Sequence, residues 1–266
     1  MNARDAFPSY KSRYLPAMTP AQIGALPDRE WAPVILPTGA IEQHGPHLPV
    51  SVDAFLGQVW LSLALSRLPS GASCYVAPPI SIGKSNEHTG YSGTLIVSKA
   101  TLRELVLCVA RQVKAWGFGS LAILNTHGGN ISVLRYTQRE VKETFGLRVR
   151  FLNGYERLGL SEQEGTYGFH AGELETSLML AAAPNLVQMK LASCEYPASL
   201  SDPGELRPEA APATFSWATK DISRSGVMGD ATAASAEKGR QWLENGATRI
   251  AGQILEFCKE GLRHGK

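Results

Sequence analysis

The sequence predicts an α/β fold: a mainly parallel sheet with helices on both faces, held in one domain over residues 1–266. Two observations carry this prediction. Short apolar runs alternate with longer amphipathic segments, and the resulting order β-α-β-α-β-α-β implies right-handed crossovers between parallel strands.

The first strand is read from WAPVILPTG (31–39), whose apolar run at 34–37 closes on Pro37 and Gly39. Residues 54–68 follow as a helix, because Phe55, Leu56, Val59, Leu63 and Leu65 keep helical spacing rather than alternation. CYVAPPI (74–80) is a second, short strand. A helix over 99–116 is bounded by Ser98 as N-cap and Gly117 as stop. SLAILN (120–125) is the third strand, NISVLRYTQREVKETF (130–145) the next helix, and LRVRFLN (147–153) the fourth strand. GELETSLMLAA (172–182) is helical, and a long helix runs from about Ala231 to Leu262. The stretch 196–217 is rich in Pro, Ala and Ser. It is read as an irregular surface excursion, or as an arm reaching a neighbouring subunit.

With 266 residues, 44% hydrophobic and 19% charged, the chain has the balance of a soluble globular protein. A formal charge of +2 and scattered basic residues give no electrostatic case for nucleic acid or an anionic membrane as partner. The longest apolar-leaning stretch, 54–68, is too short and interrupted to span a bilayer, and the N-terminus lacks the apolar core of a secretory signal. The cysteines stand far apart without a CxxC pair. Cys108 and Cys258 fall on apolar positions of predicted helices, so buried free thiols and a reducing, cytoplasmic setting are expected.

Open parallel sheets bind ligands beyond the carboxyl ends of their strands, and the polar clusters of this chain fall there. Glu42 and His44 follow the first strand. Ser85, Asn86, Glu87 and His88 follow the second, and Asn125, His127 and Asn130 follow the third. His170, Glu173 and Glu175 open the 172–182 helix. Of the six histidines only His264 lies outside these turns. Each residue alone has an ordinary explanation: a loop histidine is solvated, Asp53 caps the helix it heads, and Glu173 and Glu175 favour a helix N-terminus. Separate loops at one sheet edge, each bringing imidazole or carboxylate, point instead to a catalytic metal centre. Zn, Mn or Fe(II) suit such ligands, and no cysteine among them suggests a structural zinc. Gly128 and Gly129 let the chain turn after His127 and leave space beside the main chain. His47, followed by Leu48 and Pro49, is read as structural.

PTGAIEQHGPHLPVSVD, EHTGYSGTL, NTHGGN and HAGELETS, in this order and at these separations, resemble the creatininase (creatinine amidohydrolase) family over about residues 30 to 185. The resemblance implies a three-layer α/β sandwich with two divalent ions, commonly zinc, manganese or iron. It implies a cytoplasmic homo-oligomer, often a hexamer, that hydrolyses the C–N bond of a small cyclic or linear amide with a metal-activated water. By motif, Glu42, His44, Asp53 and His127 would ligate metal, with Asp53 as the bridge. His170 would transfer protons, and Glu173 would be a ligand or supporting carboxylate in the catalytic centre. Glu87, His88, Asn125, Gly128, Gly129 and Asn130 would line the substrate or orient the ligands. Creatinine-hydrolysing members carry Tyr-Glu after the NTHGGN-type histidine, and that Glu is a ligand. Here the pair is Gly128-Gly129. Glu173 is the candidate replacement, and creatinine itself is disfavoured as substrate. Two rival readings stand beside this one. The first is a metal-dependent peptidase or deformylase acting on a modified peptide or a formamide intermediate of cofactor biosynthesis, with 196–217 bordering a wider cleft. The second is a non-catalytic metal-binding subunit.

Overall fold

The computed structural model describes residues 7–155, 159–197 and 217–264. Of the predicted excursion at 196–217, residues 198–216 lie outside them. The main sheet comprises β1 (Pro33–Thr38), β2 (Tyr75–Val76), β3 (Ser120–Asn125) and β4 (Arg148–Leu152), all parallel, in the order β2-β1-β3-β4. A separate antiparallel pair is formed by β5 (Cys194–Glu195) and β6 (Gly229–Asp230). The helices are α1 (Pro20–Gly24), α2 (Val52–Ser66), α3 (Lys99–Ala115), α4 (Ile131–Phe145), α5 (Glu162–Tyr167), α6 (Glu173–Ala182), α7 (Thr219–Ile222) and α8 (Ala236–His264).

Consecutive apolar residues in the strands reflect burial on both faces. Ile35 of β1 and Ala122 and Leu124 of β3 pack among Leu56, Trp60, Leu178 and Ile250 of α2, α6 and α8. Their neighbours Val34, Leu36, Leu121 and Ile123 enter a second core with Leu102, Val106, Leu134 and Val141 of α3 and α4. The result is the expected α/β sandwich, helices over sheet over helices. No helix among the described residues is long and apolar enough to cross a membrane.

Element ends follow local chemistry. Pro78 and Pro79 have no N–H to donate, so β2 stops at Val76 and the chain rejoins β1 through Ile80 N to Pro37 O at 3.0 Å. The Ser98 hydroxyl accepts from Thr101 N and starts α3, which ends before Gly117 at φ +88°. The last helix begins at Ala236 rather than Ala231. The Asp230 side chain caps a separate 3-10 turn over Ala231–Ala233 by accepting from Thr232 N. The thiol expectation also needs correction: Cys74 is buried, but Cys258 is only half-buried and Cys108 is exposed. α3 buries the stripe Leu102, Val106, Ala110 and Val113, which leaves Cys108 on the outer face with the exposed Leu105.

The sheet order positions the site. β2 lies on one side of β1 and β3 on the other, so strand addition reverses between β1 and β3, where a crevice opens beyond their carboxyl ends. β1 and β3 run in register from Pro33 opposite Ser120 to Thr38 opposite Asn125, and both chains leave the sheet at that level. Gly39 then lets the first turn of α2 approach, since a Cβ there would lie 2.9 Å from both Cα and N of Ala54. Asp53 is thereby held against the end of β1, and the Thr126 hydroxyl donates to its carbonyl at 2.7 Å. Gly39→Ala should push α2 off the sheet edge and cost about 1–3 kcal/mol. Urea unfolding measures this, and an unchanged midpoint would mean that α2 shifts freely.

Candidate metal centre

At the carboxyl ends of β1 and β3 three groups of ligand atoms converge, each within 4.8 Å of one another: Glu42, Asp53 and His127; His44, His170 and Glu175; and Glu42, His88 and His170. All are buried except Glu175, which is half-buried. Within them Glu42 Oε2, His44 Nε2 and Asp53 Oδ2 are buried without a hydrogen-bond partner. Polar atoms at such depth normally find partners. A cation shared among these atoms supplies what the protein does not, so the donor set fits a metal.

Second-ring-nitrogen contacts aim the imidazoles. His44 Nδ1 donates to the Glu42 carbonyl at 3.0 Å, which turns Nε2 toward Asp53 Oδ1 at 3.6 Å and Glu175 Oε2 at 3.7 Å. His127 Nε2 donates to the Lys84 carbonyl at 3.1 Å, so Nδ1 faces Asp53 Oδ2 at 3.2 Å and Glu42 Oε1 at 3.3 Å. His170 Nε2 donates to the Gln43 carbonyl at 2.6 Å and leaves Nδ1 at 3.8 Å from Glu42 Oε1. His88 is set the opposite way. The Gln43 amide is fixed by accepting from Gly45 N and donating to the Gly226 carbonyl, so its N–H meets His88 Nδ1 at 2.9 Å. Nδ1 of His88 is therefore an acceptor, and its Nε2–H points at Glu42 Oε1, 3.3 Å away. The rings of His44 and His88 flank that of His170, with centroids 4.2 and 4.3 Å from it.

Charge is balanced inside the cluster. Burial alone would raise Glu42, yet His127 and His88 hold its carboxyl well below the usual range. Burial likewise opposes charge on His127, but Glu42 and Asp53 hold it well above its ordinary value. His44 is raised to about 9 by Asp53, Glu175 and Glu42 against the same opposition. Burial, then Asp53 and Glu42, lift Glu175 to about 7 although His44 pulls it down. His170 is the exception: burial, with His44 and His88 beside it, holds it well below the ordinary value, so it is neutral. Imidazolium protons thus stand between the carboxylates in the positions a metal would take.

Other residues singled out from the sequence sit around this centre. The Asn125 amide donates to the His127 carbonyl at 2.7 Å, and that of Asn130 joins Gly39 to Lys84, so both pin ligand loops. Glu87 pairs with Lys84 Nζ at 3.0 Å and comes within 3.7 Å of His127 Nε2. A Cβ at Gly129 would strike the Glu87 carboxylate and lie 2.5 Å from His127 Nε2, so position 129 has no room for a glutamate. A Cβ at Gly128 would meet nothing. His47 Nε2 pairs with the Thr176 hydroxyl at 2.8 Å, outside the three groups. Glu173 is also outside them, its carboxylate being ion-paired with Lys238. Glu175 faces the centre instead. Residues two apart on a helix lie ~200° around its axis, so only one of the two can point inward, and the sequence carries no signal for which. Gln43 and Thr219, which hold His88, and the buried Glu164 were equally invisible to motif reading.

A cavity of about 580 Å³ adjoins the cluster. Its lining includes His127, His170 and Glu175, the aromatic Phe151 and Phe169, and the exposed Arg135.

The family model described as "Creatininase: Creatinine amidohydrolase" matches residues 16–254. The "Mycofactocin precursor peptide peptidase" of Mycobacterium ulcerans (strain Agy99) is 31% identical over 233 residues, covering 86% of this chain and 83% of that protein. The "Creatinine amidohydrolase" of Pseudomonas putida is 28% identical over 248 residues, covering 84% and 88%. A solved structure described as "Creatininase Mn" superposes with a TM-score of 0.71 at 26% identity, covering 92% of this chain and 98% of that one.

Burial, and His44 beside it, lower His47 from 6.5 to about 4. The unfolded chain binds this proton more readily, so the contribution to stability is complete above about pH 6.5 and is lost as pH falls through about 4. Urea unfolding across this range should give a falling stability whose slope is reduced in His47→Asn. An unchanged slope would remove His47 from the titration.

Proposed function

This chain belongs to the creatininase family and is a hydrolase, and from that premise we propose that it cleaves an amide C–N bond with two divalent ions. The observation that carries this reading is the set of buried, partnerless atoms Glu42 Oε2, His44 Nε2 and Asp53 Oδ2, converging from different loops. Glu42, Asp53 and His127 would hold one ion, and His44 and Glu175 the other. Asp53 would serve both, because its Oδ2 faces His127 and its Oδ1 faces His44. When bound, the ions would supply a Lewis acid for the carbonyl oxygen and a water acidified toward neutrality. The imidazole–carboxylate set suits several first-row ions, and the likeness to "Creatininase Mn" favours manganese.

The chain's own residues handle position and protons. His170 is neutral and anchored through Nε2–H on the Gln43 carbonyl, so its Nδ1 can accept a proton and return it to the leaving nitrogen. His88 donates to Glu42 Oε1 and keeps that carboxylate turned into the centre. The cavity of about 580 Å³ falls in the ~300–1,000 Å³ range of drug-sized ligands. That size, and the likeness to a peptide peptidase, favour an amide larger than a single small ring, such as a modified peptide. Family membership also supports a single domain and a cytoplasmic homo-oligomer, with the hexamer as the expected form.

Several outcomes test this reading. His44→Ala and Asp53→Ala should lose metal by elemental analysis. Glu175→Gln should lose one ion while Glu173→Gln keeps both; the reverse pattern would return the ligand role to Glu173. His170→Ala should retain metal yet lose about 10²–10⁴-fold in kcat, measured on whichever of lactams, formamides or peptide amides the wild type turns over. A fully active variant would end its proton-transfer role. Manganese binding near neutral pH should also release protons, because cationic His44 and His127 must give them up. Calorimetric enthalpies that do not vary with buffer ionisation would contradict that.

A further inference from the structure

Glu164 of α5 belongs to none of the ligand groups, yet it is 3% exposed. Its Oε1 accepts from Glu173 N at 2.8 Å, and its Oε2 accepts from Asp230 N at 2.8 Å and from the Tyr196 hydroxyl at 2.9 Å. Glycines close around it. A Cβ at Gly168 would lie 2.6 Å from its Cδ, one at Gly229 would lie 2.7 Å from Oε1, and one at Gly172 would strike Oε1. One carboxylate thus ties α5 to the first residue of α6 and to β6.

Between Gly168 and Gly172 stand His170 and Ala171. The main chain of His170 pairs with that of Met228, just before β6, through bonds of 3.1 and 2.9 Å. Ala171 is fully buried at φ +54°, a left-handed conformation that residues with a Cβ adopt only where their surroundings dictate it. That turn directs Ala171 N onto Glu175 Oε2 at 2.6 Å, while His170 reaches back to the Gln43 carbonyl. The anchors on either side of the turn, at β6 and at the start of α6, are both held by Glu164.

We propose that Glu164 is a positioning residue for one half of the centre: it fixes the turn that aims His170 and Glu175. The inference rests on the two-ion reading above. Glu42, Asp53 and His127 stand on loops after β1 and β3 that Glu164 does not bond, so its loss acts on the ion held by His44 and Glu175 and spares the other.

Glu164→Gln keeps the side-chain size but sets an amide N–H against one of the three donors. Manganese titration by calorimetry, with circular dichroism as the check of fold, should find one ion bound as in the wild type and the other weakened about 10–100-fold. Gly172→Ala approaches from the opposite side: its backbone at φ −83° accepts alanine, but the new methyl displaces the carboxylate, and the same selective loss is expected. It decides the matter if Glu164→Gln does not fold. Wild-type affinity for both ions in the folded variants, or equal weakening of both ions, overturns the positioning role. A wild-type protein that takes up fewer than two ions instead overturns the two-ion reading, and the inference with it.

Discussion

The Glu42 carboxylate is the constraint around which this molecule is arranged. It is 1% exposed, and its Oε1 lies 3.3 Å from both His88 Nε2 and His127 Nδ1. A carboxylate at that depth is tolerated only when opposite charge and hydrogen bonds replace its water. Those partners come from the loops after β2 and β3, while His170, 3.8 Å away, comes from the turn before α6. The desolvated anion therefore couples chain segments that are far apart in sequence. The apolar cores on the two faces of the sheet can form without it, but the loops beyond the strand ends have little else to gather them. Buried charge contributes little net stability on its own. Its value here is that it prepays the assembly of a centre whose remaining atoms are short of partners.

That arrangement explains what was legible in the sequence. The strands were readable because both faces are buried, so apolar runs of consecutive residues survive in β1 and β3. Glu42, His44, Asp53 and His127 were readable because each follows such a run directly, and the parallel topology brings strand ends together. The carboxylate in the turn of HAGELETS was not. Choosing Glu175 over Glu173 requires the rotation of α6 about its axis, which is set by Lys238 pairing with Glu173 from α8. Glu164 was less visible still, because its role lies in bonds to main-chain N–H groups that no side-chain pattern records. Cys108 misled for a related reason: an apolar helix has an outer face too, and one cysteine does not reveal which face it is on.

Position 129 illustrates how a missing ligand becomes a packing statement. A glutamate there cannot coexist with Glu87, whose carboxylate fills the space a side chain would need. Glu87 in turn is fixed by Lys84, and the Lys84 carbonyl takes the proton of His127 Nε2. The glycine is thus matched to a second carboxylate that supports His127 from behind rather than facing the ions. On the other side of the centre Glu175 arrives from α6, so the negative charge reaches the cluster from a different element of the fold.

The two halves of the centre are consequently built to different tolerances. Glu42, Asp53 and His127 leave the ends of strands that are paired in register and flanked by tightly packed helices. Asp53 is further clamped through its carbonyl by Thr126. His170 and Glu175 depend on a short turn whose conformation is unfavourable for alanine and which is anchored through a single buried carboxylate. Backbone of that kind holds its shape only while its surroundings over-determine it. The half that carries the proton-transferring histidine is therefore the half whose geometry can be changed without unmaking the sheet, and substrate size and chemistry can diverge there while the strand-end ligands stay as they are.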